Sequence, residues 1–147
     1  MAMTHSFGTS QHEAALGLIR AAASLTDALD EVLKPHGLGG AQYNVLRILR
    51  GAGQDGLCRN EVRDRMLTRM PDMTRLLDRM EEAGLVMRSR DGKDRRVVST
   101  RLTEAGRKLV DALDEPVSAV HERRMRKLTD VQLRSLNELL GIIRTTD

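Results

Sequence analysis

Residues 71–86 read Pro71-Asp72-Met73-Thr74-Arg75-Leu76-Leu77-Asp78-Arg79-Met80-Glu81-Glu82-Ala83-Gly84-Leu85-Val86, and this stretch decides the reading of the whole chain. Met73, Leu76, Leu77 and Met80 recur at i, i+3, i+4 and i+7, one apolar face of a helix. Asp72, Arg75, Arg79 and Glu82 form the opposite face. Pro71 suits the first helical position, and Gly84 stops the helix near Ala83. The period then changes. Leu85 to Arg90 reads as a strand, Asp91-Gly92 as a hairpin turn, and Val97 to Leu102, β-branched at Val97, Val98 and Thr100, as the return strand. Between the strands stands a charged tip, Lys93-Asp94-Arg95-Arg96.

Helices lie on both sides of this unit. Upstream, Ala15, Leu18, Ala22, Leu25, Leu29 and Val32 make one apolar stripe, predicting a helix over 11–34 that Pro35 and Gly37 end. A second helix is expected over about 41–50, broken by Gly51, Gly53 and Gly56. A short third covers about 59–66. Cys58 stands where its Ser or Thr cap would go, with Glu61 three residues on: a capping box with a weak acceptor. Downstream, Thr103 caps a helix over about 104–127, which Pro116 should kink or interrupt. Thr129-Asp130-Val131-Gln132 opens a last helix to about Thr145, with Leu133, Leu136, Leu139, Leu140 and Ile143 apolar.

Composition narrows the function. The chain has 147 residues, room for one domain. With one Phe, one Tyr and no Trp, it is a poor β-sandwich and a poor base-stacking module. No apolar run reaches the roughly 20 residues that span a bilayer. Residues 1–10 lack the charged and apolar regions of a signal peptide. A single cysteine rules out an internal disulfide, so a cytoplasmic location is expected. The net charge is +3, but residues 57–107 hold 13 basic and 9 acidic residues, so the excess sits in the middle. Arg supplies 20 of the 24 cations, the side chain that forks onto phosphates and guanine edges. An Arg-rich composition alone is equally well read as a genome-wide bias.

Two short helices joined by a tight turn and followed by a basic hairpin have the plan of a winged helix-turn-helix. The second helix can enter a major groove, and an Arg at the hairpin tip can enter a flanking minor groove. The groove-facing candidates are Arg69, Met70, Asp72, Thr74 and Arg75. Arg79, a turn further on, suits a phosphate or an internal ion pair. Arg59 and Arg63 on the preceding helix read equally as backbone contacts or solvated cations. Arg88, Arg90, Lys93, Asp94, Arg95 and Arg96 furnish the hairpin.

The 71–86 stretch, Arg88, Asp94-Arg95-Arg96 and Leu102-Thr103-Glu104-Ala105-Gly106 together resemble the signature of the multiple-antibiotic-resistance regulator (MarR) family. The resemblance covers essentially the whole chain. It implies a mainly α fold with a small β-hairpin wing. Residues 1–147 would be a single domain, with a winged helix-turn-helix over 41–102 flanked by dimerisation helices over 11–34 and 104–147. The implied function is a transcription regulator, expected to be a repressor, that binds double-stranded DNA as a homodimer on a pseudo-palindromic operator. It implies that Arg96, held by Asp94, enters the minor groove and that Arg75 contacts DNA. Family members often bind a small phenolic or anionic effector between the dimer helices and the DNA-binding lobe. Tyr43, His12, His36 and Arg47 are available to such a pocket, and the ligand-binding residues stay unassigned.

Other features take plainer readings. Met66, Met73 and Met80, seven residues apart, read as core rather than as a thioether metal site. His5, His12, His36 and His121 are scattered without metal-ligand spacing. Cys58 has the helix N-terminal position that activates a thiol. The family's thiol sensors carry their cysteine in the first helix, so Cys58 reads as an inert cap. Arg123, Arg124, Arg126 and Lys127 read as a solvated face near a helix C-terminus. No phosphate loop, nucleophile elbow or metal-ligand pair is present, so neither an enzyme nor a cofactor is expected. Two rivals remain: a non-specific architectural DNA binder, and a winged helix that docks another protein.

Overall fold

The computed structural model describes residues 8–90 and 92–145. His5, Phe7 and Asp91 of the expected turn lie outside the described residues. Helix α1, Ser10–Leu33, starts at Thr9, whose hydroxyl accepts from the His12 amide (3.3 Å). A single 3-10 turn over Lys34–His36 leads to α2, Gly40–Ala52. There follow β1 (Leu57–Cys58), α3 (Arg59–Arg65), α4 (Met73–Glu82), β2 (Val86–Arg90), β3 (Val98–Leu102), α5 (Glu104–Met125) and α6 (Asp130–Arg144). The strands form one antiparallel sheet in the order β1-β3-β2. Its register sets Val86 opposite Leu102, Arg88 opposite Thr100 and Arg90 opposite Val98.

Three elements differ from the sequence reading, each for a local reason. Helix α4 begins at Met73 rather than at Pro71, because Asp72 is the cap: its Oδ1 accepts from the Arg75 amide (3.0 Å). The helix ends as expected, with Gly84 at φ 75° and the Leu85 amide donating to the Met80 carbonyl (3.0 Å). The short strand β1 was not foreseen, since two residues carry no alternation to read. It closes onto β3 because residue 56 is glycine: a Cβ there would overlap the Thr100 carbonyl oxygen. Pro116 does not interrupt α5, which runs on to Met125. Buried Leu113, Val117 and Val120 hold the helix to its neighbours on both sides of the proline.

The core lies between α2, α3, α4, the sheet and the first half of α5. Val45, Leu46, Leu49, Val62, Leu77, Met80, Val110 and Leu113 are its fully buried centre. Met73 and Met80 are buried and Met66 packs against the cluster, as the seven-residue spacing predicts. Tyr43 is also buried in this core, away from any ring-binding role.

Thr103 and Gly106 join the start of α5 to the end of α4. The Thr103 hydroxyl donates to the Gly84 carbonyl (2.6 Å), and its amide donates to the Leu85 carbonyl (3.1 Å). A Cβ at Gly106 would overlap that same Leu85 oxygen. The terminal helices are different. No residue of α6 is buried, and Ile19 of α1 and Leu139 of α6 are 66% and 57% exposed. No helix among the described residues is long and apolar enough to cross a membrane.

Candidate nucleic-acid interface

The two short helices are fastened to one another and to α2 before any ligand is considered. Asn44 of α2 accepts from the Leu67 amide (2.8 Å), pinning the turn between α3 and α4. Arg59, first residue of α3, donates from Nη1 to the Thr74 hydroxyl (2.9 Å) in the first turn of α4. The Cys58 amide donates to Glu61 Oε2 (2.7 Å), half of the expected capping box, and this bond holds the Glu61 carboxyl below its usual range.

Burying Met73, Leu77 and Met80 turns Arg75 and Arg79, one helical turn apart, outward. No ion pair or hydrogen bond among the described residues holds the guanidinium of Arg69, Arg75, Arg79 or Arg95. These cations are available to a polyanion.

The wing is built by its own side chains. Asp94 Oδ1 accepts from the Arg96 amide (3.0 Å) and from Arg96 Nε (3.4 Å). Arg90 Nη1 donates to the Arg95 carbonyl (2.6 Å). The Arg96 side chain is nonetheless 94% exposed, aimed by Asp94 and free at its tip. Lys93 lies on the exposed surface beside it.

Three candidates have other work in this structure. Met70 packs against the core cluster. Asp72 spends its carboxylate on the α4 cap. Arg88 faces inward: its Nη2 donates to Asp78 Oδ1 (2.5 Å) and Glu81 Oε1 (3.0 Å), and its amide donates to Glu81 Oε2 (3.0 Å). Those bonds raise the Arg88 pKa and lower that of Glu81. Arg88 thus ties the wing to α4.

A cavity of about 440 Å³ lies among these parts, bordered by Cys58, Arg59, Thr74, Arg88, Arg96 and Thr100. Its lining places the start of α3, the first turn of α4 and the wing on one face. One further joint was invisible in the sequence. Arg50, in the last turn of α2, donates from Nη1 to Asp111 and from both nitrogens to Asp114, all at 2.8 Å. The contact holds the Asp114 carboxyl below its usual range.

The comparisons with known proteins agree with this geometry. The model of the MarR family matches residues 36–97, the span from the end of the 3-10 turn to the wing. A MarR transcription factor from Planctomyces limnophilus is 38% identical, with a TM-score of 0.71 over 92% of this chain and 98% of its own. The chain belongs to the MarR family. The transcriptional repressor IacR of Pseudomonas putida is 27% identical over 86% of this chain and 74% of its own. A mutant MarR from E. coli, solved in complex with operator DNA, is 25% identical, covers 88% of this chain and 91% of its own, and has a TM-score of 0.79.

Membership makes sense of the scattered signature. Gly84-Leu85 and Thr103 to Gly106 are far apart in sequence but meet at the root of the wing. Asp94 and Arg96 meet at its tip, and Arg88 bolts its base to α4.

Proposed function

We propose that the chain is a homodimeric transcription regulator, acting as a repressor in the cytoplasm. Residues 41–102 serve as its DNA-binding lobe, and 11–34 with 104–147 as its dimerisation helices. The observation that carries this reading is the shared face of α4 and the wing. Arg75 and Arg79 stand outward on the helix, and Arg96 projects from the tip with its backbone and Nε already held by Asp94. In this reading α4 lies in a major groove, with Arg75 and Thr74 against base edges and Arg69 and Arg79 at phosphates. Arg59 supports Thr74 from behind. Arg96, with Lys93 and Arg95 beside it, enters the minor groove one step away, where negative potential is strongest. Arg88 and Arg90 position the wing instead of touching DNA.

Dimerisation follows from the uncovered terminal helices. A helix with no buried residue and with Val131, Leu139 and Ile143 exposed needs a partner surface, and a second copy supplies α1 and α6 again. A small organic effector bound between lobe and stem would release the DNA.

Selection of random duplexes by the purified protein tests the proposal. It predicts a two-fold symmetric consensus with half-sites about 10 bp apart. Recovery of unrelated sequences would instead identify an architectural binder.

A further inference from the structure

Helix α5 packs in the core of the DNA-binding lobe and runs on into the region proposed as the dimer stem, and the end of α1 reaches the same core through Leu33. The 22 residues of α5 extend about 33 Å. Val110 and Leu113 before Pro116, and Val117 just after it, are buried in the lobe core. Beyond Pro116 the helix is hooked to α1, where Arg124 Nη1 donates to the Ser24 hydroxyl (3.0 Å). The turn ending at Pro116 lacks one backbone hydrogen bond. The carbonyl of Ala112 would accept from the amide of residue 116, and Pro116 has none.

Asp111 and Asp114 flank Ala112 on one face of that turn, and both are gripped by Arg50. The guanidinium forks onto Asp114 and shares one nitrogen with Asp111, a geometry that fixes direction as well as distance. Arg50 itself comes from α2, whose Val45, Leu46 and Leu49 are anchored in the lobe core. The carboxylates are half exposed, so the joint adds little to folding stability. Its effect is on angle.

We infer that Arg50 is a positioning residue which, through Asp111 and Asp114, sets the angle at which the lobe leaves the stem, and thereby the half-site spacing the dimer accepts. The inference rests on the proposed dimeric reading of DNA. A small change in how α2 sits on α5 at the Arg50 contact swings α4 with the rest of the lobe. One base pair of spacer rotates the second half-site by about 35°. A rigid joint therefore reads as discrimination between spacers, and a loose one as tolerance.

The test uses duplexes built from the consensus selected by the full-length protein: a single half-site, and full sites with the spacer shortened or lengthened by single base pairs. The variants are Arg50→Met and, separately, Asp111→Asn with Asp114→Asn, which leaves Arg50 intact if the first variant folds poorly. Both are expected to bind the single half-site like the wild type. Both are expected to lose about tenfold of the preference for the best spacer over its neighbours, a change the size of one mismatched base pair. Wild-type discrimination in either folded variant overturns the inference. So does an equal loss on the single half-site, which would mark a general structural role. A wild-type protein that binds all spacers equally fails the dimeric reading first, and the inference with it.

Discussion

Arg88 occupies both carboxylate oxygens of Glu81: its guanidinium donates to Oε1 and its backbone amide to Oε2, each at 3.0 Å. One residue of the wing is thereby locked in position and orientation against α4. The joint takes up the Arg88 cation and fixes the spacing between α4 and the wing.

Glu81→Gln should therefore weaken operator binding several-fold while shifting the melting temperature little. Glu81 is exposed and the pair is screened, so its contribution to folding is small. Anisotropy titration and a thermal melt on the same preparation read the two effects separately. A melting temperature that falls while affinity holds would contradict the positioning role.

The same joint has a pH signature. The Glu81 carboxyl is held below its ordinary value of 4.5 by Arg88. A depressed carboxylate stabilises the folded state above that ordinary value and loses the contribution as pH falls through the lowered one. The difference in melting temperature between wild type and Glu81→Gln should be constant from pH 7 to about 5 and vanish in stronger acid. Asp114 beside Arg50 is depressed in the same direction, so part of the wild-type protein's acid loss should survive in Glu81→Gln.

Gly106→Ala should destabilise the fold by about 1–3 kcal/mol, the usual cost of forcing extra volume into a closed contact. The added Cβ meets the Leu85 carbonyl oxygen at the root of the wing. Denaturant unfolding measures it. Gly141→Ala, where a Cβ meets nothing, is the matched control and should be neutral or slightly stabilising.

Leu139→Glu should give a folded monomer. Leu139 is exposed within one chain, so folding tolerates the charge, whereas a dimer would bury it unpaired. Light scattering should report half the wild-type mass, with helical content retained.

The parts of the fold legible in the sequence were those with a period or a cap. The Met73 to Met80 stripe, the Thr129-Gln132 box and the change from helical to strand spacing after Gly84 each depend on neighbours a few residues away. The start of α4 was misplaced because Pro71 and Asp72 compete for the same boundary, and a carboxylate that can accept from Arg75 wins. β1 was missed because its cause, the close approach of Gly56 to Thr100, lies across the sheet. The outward cations Arg75, Arg79 and Arg96 were readable from helix phase and turn position. The fates of Met70 and Arg88 were not, since both depend on what the folded lobe places beside them. Arg50, 61 and 64 residues from its partners, left no local trace at all.

The most direct measurement of the central claim is a fluorescence-anisotropy titration of the wild type and of Arg96→Ala. DNA from the gene's own upstream region would be set against a scrambled duplex, at about 50 and 200 mM salt. The account predicts that the wild type prefers the upstream DNA by at least about 10³-fold. It also predicts that Arg96→Ala loses about 1–3 kcal/mol of that binding and flattens the salt dependence, with the dimer intact. Equal binding to both duplexes, or an Arg96→Ala protein that binds like the wild type, would contradict it.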